Sequence, residues 1–418
     1  MTDALLIRSA AAFLDEQGGV VPGQDILVTN GVITAVGPRE EMASRPAAKG
    51  AKVLDLGSLL VFPGLMNSHV HFAFNGTDNV REVYLAETPE ERVARALDNA
   101  CVMALSGVTT ARDCGSDIPV MQAMLAAADE GEAVLPNLLM CGPPITAICG
   151  HLHYMGGEAT TSDEVRALVR QTRAAGARSA KVMATGGQMT PGTLPEVAAF
   201  ELAELTALVE EARSLDMSTV SHCLSSEGTI RSARAGFDSI EHCAFFERTG
   251  EGWLERVYRQ DVTDAIRASG SAVMMGLAAS TKALEGVRAT GEGTPHEHFR
   301  LAQERRMMRI FKQMADQGIP MICGTDAGTA ATPFDETWRE IVMMVEAGLT
   351  PLQAIRNATT IVARAMRIDH EAGAIRAGLR ADLIALADNP LENPAAFRTP
   401  AWVMVRGREI LSSPMTSP

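Results

Sequence analysis

Pairs of histidines separated by one residue are the most informative chemical feature of this sequence. Imidazole nitrogen is a common ligand of zinc and of other transition metals. Alternate residues of a strand share one face, so two histidines one residue apart can both point at one ion. Only His69 and His71 follow closely on an apolar run, Val61–Met66, which favours a rigid metal-binding strand end. The spacing occurs at three places: His69 and His71, His151 and His153, and His296 and His298.

The other two pairs have weaker support. His151 and His153 lie in residues 150–157, a segment that begins and ends with glycine and follows a predicted strand. A contact with substrate and an ordinary loop position are equally consistent with that segment. His296 and His298 lie among charged residues, which favours the solvent-exposed start of a helix.

Three further strand ends carry a possible metal ligand. His222, His242 and Asp326 each follow a short run of residues typical of a buried strand. Alone, any of them could serve as a structural cap. Together with His69 and His71 they supply the imidazole nitrogens and the carboxylate oxygen that suit zinc and related divalent ions.

Lys181 lies inside the apolar stretch Ala180–Ala184, where an ammonium group would lose its hydration. A plain alternative is a lysine whose head group reaches the strand end. Beside metal cations an ammonium would be repelled, whereas the carbamate that lysine forms with carbon dioxide is an anion able to bridge two ions. Spacing alone leaves both alternatives open.

Strands and helices alternate through the middle of the chain, and glycine closes several of the predicted helices directly before the next strand. Alternation over about 300 residues predicts parallel strands joined by right-handed crossovers. Eight repeats favour an α/β fold of the (β/α)8 TIM barrel type, in which functional residues lie at the carboxyl ends of the strands. The predicted strands are Val61–Met66, Gly107–Arg112, Asn137–Cys141, Ser179–Met183, Ser218–Cys223, Ser239–His242, Ala272–Met275 and Pro320–Cys323.

Both ends of the chain have the pattern of short strands and turns. An Asn30-Gly31 step between two strand-like runs is a strong signal for a hairpin. Strand-like runs return near the carboxyl end. We therefore predict one small β domain built from residues 1–60 and 372–418, around a barrel at residues 61–371.

Composition argues against several other classes of protein. The 418 residues carry 37 basic and 51 acidic side chains, a formal net charge of −14, which argues against binding nucleic acid. No apolar run reaches the roughly 20 residues of a membrane helix, and the first residues lack the basic start and apolar stretch of a secretory signal. Seven cysteines without a CxxC pair fit no closed disulfide set, so we expect the reducing cytoplasm.

The chemical motifs and the tail of the chain form a recognisable set. They are His69-Val70-His71, Lys181 in KVMATGG, His222, His242 in SIEHC, Asp326 in GTDAG, and the tail Gly373–Leu383. The set resembles the amidohydrolase superfamily, and within it the imidazolonepropionase-like and prolidase-like branch of metal-dependent amide hydrolases. The tail is similar to that superfamily's return into a terminal β-sandwich. The resemblance spans nearly the whole chain, but its motifs are poor guides to substrate.

The resemblance implies a binuclear centre that holds two divalent ions, most often zinc. It implies that His69, His71 and Asp326 bind the more buried ion. It implies that His222 and His242 bind the outer ion. Relatives are often homo-oligomers, so the same is expected of this chain.

The resemblance also implies a mechanism. Carbamylated Lys181 would bridge the two ions, and a water shared by two cations has a lowered pKa and yields hydroxide. Asp326 would accept the proton as hydroxide attacks the carbonyl, and would then deliver it to the leaving nitrogen. His151, His153 or Tyr154 would hold the developing oxyanion.

We therefore expect a cytoplasmic hydrolase that cleaves the C–N bond of a small amide, peptide-like or carbamate substrate. The alternatives are opening of a cyclic amide or deamination at a single ion, and a metal-free scaffold has the least support. Several dipeptidase-like relatives carry a tyrosine shortly after the fifth-strand histidine, whereas Cys223–Ser226 follow His222 here, which argues against ordinary dipeptide specificity. A shortage of obvious basic anchors suggests an apolar acyl or aryl group.

Two further expectations concern the surroundings of the site. For Arg112 and Asp113, at the end of the second predicted strand, a structural salt bridge is favoured over a role in orienting neighbouring groups. The segment Phe245–Asp261 is long for a connection between a strand and a helix. We expect it to cover the pocket, because long loops in compact domains are often lids.

Overall fold

The computed structural model describes residues 4–131, 133–249, 253–279 and 281–412, with the backbone alone at Thr249 and Trp253. The strands are β1 (Ala4–Arg8), β2 (Ala11–Leu14), β3 (Gly19–Pro22), β4 (Gln24–Thr29), β5 (Val32–Pro38), β6 (Lys52–Asp55), β7 (Leu60–Pro63), β8 (Leu65–Val70), β9 (Val108–Asp113), β10 (Asn137–Met140), β11 (Ser179–Met183), β12 (Ser218–Ser225), β13 (Ser239–Thr249), β14 (Trp253–Arg256), β15 (Ala272–Met274), β16 (Leu383–Leu386), β17 (Trp402–Val405) and β18 (Arg408–Ser412).

The α-helices are α1 (Arg39–Ser44), α2 (Pro46–Lys49), α3 (Val80–Ala86), α4 (Pro89–Leu105), α5 (Ile118–Glu130), α6 (Ser162–Ala174), α7 (Leu202–Ser214), α8 (Ser226–Ala235), α9 (Gln260–Ser269), α10 (Glu285–Thr290), α11 (Pro295–Asp316), α12 (Thr337–Glu346), α13 (Pro351–Asn357) and α14 (Thr360–Ala365). Short 3₁₀ helices lie at Asp15–Gln17, His153–Met155, Thr281–Leu284 and Pro394–Arg398.

The two ends of the chain build two sheets. One sheet has the strand order β5-β4-β1-β6, and the other has the order β18-β17-β16-β7-β2-β3. The predicted hairpin is confirmed, because β4 and β5 pair antiparallel across Asn30 and Gly31, whose φ angles of 51° and 77° suit a tight turn. Apolar side chains of both sheets pack together, among them Ile26 of β4 and Trp402 of β17. The two chain ends therefore share one apolar cluster.

The middle of the chain alternates parallel strands with helices, which confirms the predicted α/β class. One parallel group contains β8, β9 and β10, and a second contains β11, β12, β13 and β15. One parallel bridge, from Ile145 to Val182, connects the two groups on one side. On the other side they are connected through residues 321–327, because Met321 bridges to Val273 and Ala327 bridges to Val70.

Two predicted strands differ from the structure. The predicted strand Val61–Met66 is divided, with its first residues in β7 of the six-stranded sheet and its last in β8. Gly64 separates the two, and a Cβ there would fall 2.1 Å from the side chain of Thr109, so a larger residue would force the strands apart. Pro320–Cys323 makes one isolated bridge, at Met321, instead of a continuous strand.

Capping boxes mark the starts of α4, α6, α11 and α13. A threonine directly precedes each of these helices, and its side chain accepts a hydrogen bond from the backbone amide three residues later. The glutamate or glutamine at that later position accepts in turn from the backbone amide of the threonine. His296 and His298 are exposed in the first turn of α11, which confirms the solvent-exposed helix start predicted for them. No helix within the described ranges is both long enough and apolar enough to cross a membrane.

The segment predicted to act as a lid, Phe245–Asp261, contains an antiparallel hairpin of β13 and β14. Residues 250–252, which belong to the predicted segment, lie outside the described residues. Arg248 pairs with Glu196 and so ties the hairpin to the segment that follows β11. The role of the hairpin as a lid stays a prediction.

Candidate metal centre

His69, His71 and Asp326 meet where β8 ends. The Nε2 atoms of His69 and His71 lie 3.3 Å apart, and each lies 3.5 Å from Oδ1 of Asp326. The potential ligand atoms of these three side chains all lie within 4.8 Å of one another. Two imidazoles and a carboxylate at this spacing can hold one divalent ion.

His242, His222 and Lys181 extend this cluster across the same cavity. The ring centroid of His242 lies 5.0 Å from that of His69 and 4.6 Å from that of His222. Lys181 is 1% exposed, and its Nζ has no hydrogen-bond partner among the residues that the structure describes. The side chains predicted as metal ligands all line this cavity, namely His69, His71, Lys181, His222, His242 and Asp326.

The backbone ties the two strand ends of the cluster together. The amide of Asp326 donates to the carbonyl of His69 at 2.9 Å. Asn67 holds the same junction, because its Oδ1 accepts from the amides of His69 and Thr325 at 3.1 and 3.2 Å. The φ angles of Asp326 and His242 are 61° and 68°, a left-handed conformation that costs free energy in residues other than glycine. The surrounding contacts must therefore offset that strain.

A buried carboxylate that the sequence analysis did not identify orients His69. Oε2 of Glu241 lies 2.9 Å from Nδ1 of His69, and Oε1 accepts from Arg112 at 2.9 Å. The side chains of Glu241 and Arg112 are both 0% exposed. Because a carboxylate paired with arginine accepts hydrogen bonds, His69 carries its proton on Nδ1 and leaves the Nε2 lone pair available for a metal.

The predicted salt bridge between Arg112 and Asp113 is wrong. Adjacent residues of a strand point to opposite faces, so the two side chains diverge. Asp113 accepts from the backbone amides of Phe72 and Gly115, at 2.9 and 3.2 Å, while Arg112 pairs with Glu241. Burial raises the pKa of Asp113 to about 7, and those two amides partly oppose the effect.

Burial keeps the histidines of the cavity neutral. It lowers the pKa of His71 and of His151 to about 3, and a neighbouring positive charge adds to the effect. Burial, followed by nearby charges, also holds the pKa values of His69, His222 and His242 well below their ordinary value. Neutral imidazole is the form that binds a metal.

Asp326 and Lys181 complete the electrostatics of the cavity. Burial raises the pKa of Asp326 to about 6, an effect that the charge of Lys181 partly opposes. A carboxyl group that titrates close to neutral pH is suited to accepting and returning a proton. A buried ammonium without a partner is costly, and neutral imidazoles offer it no anion. This donor set therefore fits divalent cations better than it fits a protonated lysine.

Of the three residues predicted to hold an oxyanion, His151 is the one that lines the cavity. Its ring centroid lies 4.9 Å from that of His222, and its Nδ1 lies 3.0 Å from Oγ1 of Thr190. His153 and Tyr154 lie on the adjacent 3₁₀ helix and are not among the described lining residues. The role of all three stays a prediction.

Comparison with known sequences agrees with this geometry. The profile of the amidohydrolase family matches residues 60–410. Ochratoxinase of Aspergillus niger is 28% identical over 397 aligned residues, which cover 86% of this chain and 77% of ochratoxinase. Adenine deaminase 3 of Rhizobium meliloti is 24% identical over 390 residues, which cover 92% of this chain and 55% of that protein.

Comparison with solved structures shows the same fold. A Xaa-Pro dipeptidase with methionine bound in its active site superposes with a TM-score of 0.84 at 24% identity, over 98% of this chain and 100% of the dipeptidase. The family match covers most of the chain and includes every residue of the cavity named above. The chain is a hydrolase acting on carbon–nitrogen bonds and belongs to the amidohydrolase family.

Proposed function

We propose that this chain is a metal-dependent hydrolase that cleaves a small amide, peptide-like or carbamate substrate with two divalent ions, zinc foremost. The observation that carries the proposal is the position of Lys181, which lines the cavity together with five histidines and Asp326. Its buried Nζ has no hydrogen-bond partner within the described part of the chain. A lysine ammonium would first release one proton to give the neutral amine, and reaction of that amine with carbon dioxide would form the carbamate and release a second proton. The product is an anion that two metal ions can share.

The grouping of the side chains supports a division of the ligands between two ions. His69, His71 and Asp326 would hold one ion, because their donor atoms lie within 4.8 Å of one another. His222 and His242 would hold the other, because their ring centroids lie 4.6 Å apart. The lysine carbamate would bridge the two ions.

The bound ions, Asp326 and His151 would each have a different role in the proposed reaction. The bound ions would lower the pKa of water and polarise the substrate carbonyl. Asp326 would accept the proton of the attacking water and deliver it to the leaving nitrogen, a role that suits its pKa of about 6. The Thr190 hydroxyl accepts from the amide of Leu152, so its own proton can go to Nδ1 of His151. His151 would then donate from Nε2 to the developing oxyanion.

The proposal extends to the fold, the compartment and the assembly. We infer a closed (β/α)8 barrel at residues 61–371 and a β-sandwich from residues 1–60 and 372–418. The bridges between the two parallel groups support closure, and the apolar cluster shared by the terminal sheets supports the sandwich. The free thiols of the cysteines support the reducing cytoplasm. A homo-oligomer follows from the superfamily resemblance.

Deamination at a single ion is the second candidate function, and the similarity to adenine deaminase 3 favours it. Lys181 separates the two functions, because a bridging carbamate has no role beside a single ion. Opening of a cyclic amide would use the same two-ion centre and differ in the substrate alone.

Metal analysis combined with Asp326→Asn tests the proposal. We expect two divalent ions per chain and hydrolysis of N-acyl or peptide-like amides by the wild type. Asp326→Asn should lower turnover by about 10²- to 10⁴-fold, the usual worth of a general base, while much of the metal remains. His298→Gln, exposed on α11, is the control and should change neither quantity. One ion per chain with release of ammonia from a purine would favour the deaminase, and full turnover in Asp326→Asn would refute the assigned base.

A further inference from the structure

Two buried cysteines lie opposite each other beneath the candidate metal centre. Cys114 directly follows β9, and Cys141 directly follows β10. The parallel register of these strands pairs Asp113 with Met140, and the amide of Cys141 donates to the carbonyl of Asp113 at 3.0 Å. One step further along both strands, the two cysteines are therefore opposite one another. They are 0% and 1% exposed and pack with Val220 in one small group, the thiol cluster.

The spacing of the two residues suits a disulfide bond. Neighbouring strands of a sheet lie about 4.8 Å apart. A disulfide needs Cα atoms about 4.4–6.8 Å apart and side chains that point to the same side. Opposite residues of two parallel strands that point into one cluster meet both conditions. Both residues are free thiols in this structure, and Sγ of Cys114 donates to the carbonyl of Ser68 at 3.6 Å.

A second pair of buried cysteines on neighbouring strands is placed differently. Cys223 of β12 lies opposite His242 of β13, so Cys243 is one residue out of register with it. Residues one step apart on a strand point to opposite faces, and the register of these two strands is also irregular after Cys223. Cys114 and Cys141 are the cysteines that the strand register places directly opposite each other.

The thiol cluster lies directly below the cavity of the candidate metal centre. Val220 is opposite Lys181 of β11, and it shares a face of β12 with His222. Lys181 and His222 both line the cavity. Hydrogen peroxide is hardly larger than water, so it can approach the two thiols through a cavity that holds no ion. Two bound ions and the group that bridges them would fill that route.

The backbone connects Cys114 to a proposed metal ligand on two sides. Its amide donates to the carbonyl of Val70, the residue before His71, at 2.8 Å. Gly115, the residue after Cys114, has its carbonyl oxygen 3.4 Å from Nδ1 of His71. A Cβ at Gly115 would fall 3.1 Å from that ring, so the backbone there packs closely against it. A displacement of Cys114 would therefore move the carbonyl group that orients His71.

We propose that Cys114 and Cys141 are a redox-sensitive pair, which closes to a disulfide when peroxide reaches the metal-free centre and which then opposes metal uptake. Peroxide would oxidise one thiol to a sulfenic acid and release one water. The second sulfur would attack the sulfenic sulfur, so that the S–S bond forms, the S–O bond breaks, and the oxygen leaves with the proton of the second thiol as another water. Two electrons thus pass from the thiols to peroxide. In a reducing compartment such disulfides are usually transient and redox-sensing.

The disulfide would act on metal binding by displacing the backbone beside His71. Sγ of Cys114 would leave the carbonyl of Ser68 and turn towards Cys141, and Gly115 would move with it. Loss of a group that orients a metal-binding histidine lowers metal affinity by about 10- to 100-fold. This effect rests on the metal centre proposed above, whereas formation of the disulfide does not.

Thiol counting and zinc titration test these two parts separately. The double variant Cys101→Ser/Cys149→Ser is the starting protein, because it lacks the two cysteines that are not buried. Hydrogen peroxide should remove two thiols per chain from its metal-free form, counted after catalase treatment and unfolding, and peptide mapping should place the bond between Cys114 and Cys141. The zinc-loaded form should keep both thiols at the same dose. The oxidised protein should bind zinc about 10- to 100-fold more weakly in competition with a chelator, and dithiothreitol should restore the affinity.

Two single substitutions in this background are the controls. Cys141→Ala should bind zinc as tightly as the background and should form no intramolecular disulfide. Cys223→Ala removes a buried thiol outside the pair, so peroxide should still remove two thiols from it. Cys114→Ala takes the place of Cys141→Ala if that variant does not fold.

The outcomes separate the redox pair from the proposed metal centre. Thiols that persist in the metal-free protein, a bond that maps elsewhere, or equal oxidation of the zinc-loaded form would overturn the inference. A disulfide that leaves zinc affinity unchanged would overturn its effect on metal uptake. A reduced protein that binds no zinc would instead count against the metal centre, and a disulfide mapped to Cys114 and Cys141 would then still support the pair.

Discussion

Replacing Glu241 by glutamine should weaken metal binding without removing any proposed ligand. The carboxylate of Glu241 lies 2.9 Å from Nδ1 of His69 and can only accept a proton there, which fixes the proton on Nδ1. A glutamine amide can donate to Nδ1 instead. His69 could then carry its proton on Nε2, the nitrogen that faces His71 and Asp326. Part of the population would therefore present a proton, and no lone pair, to the metal.

Two magnitudes follow from the structure. Loss of a carboxylate that orients a metal-binding histidine lowers metal affinity by about 10- to 100-fold. Arg112 also loses its buried partner, since both side chains are 0% exposed. Breaking one half of a buried ion pair costs about 3–5 kcal/mol of folding free energy, although the glutamine oxygen retains part of the hydrogen bonding. We therefore expect a lower melting temperature of the metal-free protein in addition to weaker metal binding.

The two effects are separated by a control at a second buried carboxylate. Glu340 is 0% exposed and accepts from the amides of Leu277 and Ala278, at 3.0 and 2.7 Å. Glu340→Gln should lower the melting temperature and leave metal affinity unchanged. The assay is competition for zinc with a chromophoric chelator, with a thermal melt of the metal-free protein alongside. Wild-type affinity in Glu241→Gln, or an equal loss of affinity in Glu340→Gln, would refute the assigned role of Glu241.

Two further predictions concern the cavity itself. Lys181→Ala should lose most of the bound metal and most of the activity. Short carboxylic acids should restore part of both, because they replace the missing anion. A Lys181→Ala variant that keeps two ions per chain would contradict the bridging role. In the metal-free protein His71 and His151 should each oppose folding more strongly as pH falls from 7 to 5, because their folded pKa of about 3 lies below the unfolded value of about 6.5. The buried carboxyl groups of Asp113, Asp326 and Glu340 act in the opposite direction, because burial raises their folded pKa values to about 7, 6 and 7. Each of these two histidines contributes a loss of about 2 kcal/mol over that range, so His151→Gln should remove one such contribution from the dependence of the melting temperature on pH, whereas the exposed His298→Gln should not.

Many of the residues that line the cavity can be predicted from the sequence because they lie at the ends of strands. Parallel strands that alternate with helices present their carboxyl ends at one edge, so His222 and His242 can be placed together without knowing any contact. The structure places them with Lys181 in one cavity. Their role as metal ligands stays a prediction.

The partners of these residues could not be predicted in the same way. Arg112 is followed by Asp113 in the sequence, but its partner is Glu241, which is 129 positions away and four strands later in the chain. Which interior side chains meet depends on the inclination of the strands and on their register. A single sequence carries neither quantity. The one available signal was an acidic residue inside the otherwise small and apolar run Ser239–His242.

The start of the first parallel strand was misplaced for a related reason. Residues on both sides of Gly64 are apolar, so no polar segment marks the change from the terminal sheet to β8. The division lies at Gly64, which packs so closely against Thr109 that a Cβ would not fit there, and this contact is a tertiary one. The pattern of apolar residues therefore predicts that a strand is present here, but it does not indicate where β8 begins.

The features that make this cavity unfavourable for folding are the ones that suit it to metal. Burial removes the protons from its histidines, leaves the Nζ of Lys181 without a hydrogen-bond partner among the described residues, and is accompanied by strained backbone at His242 and Asp326. A ligand at 100 times its dissociation constant stabilises the folded state by about 2.7 kcal/mol. Metal loading should therefore raise the melting temperature, and it should do so least in Glu241→Gln, where the orientation of His69 is lost.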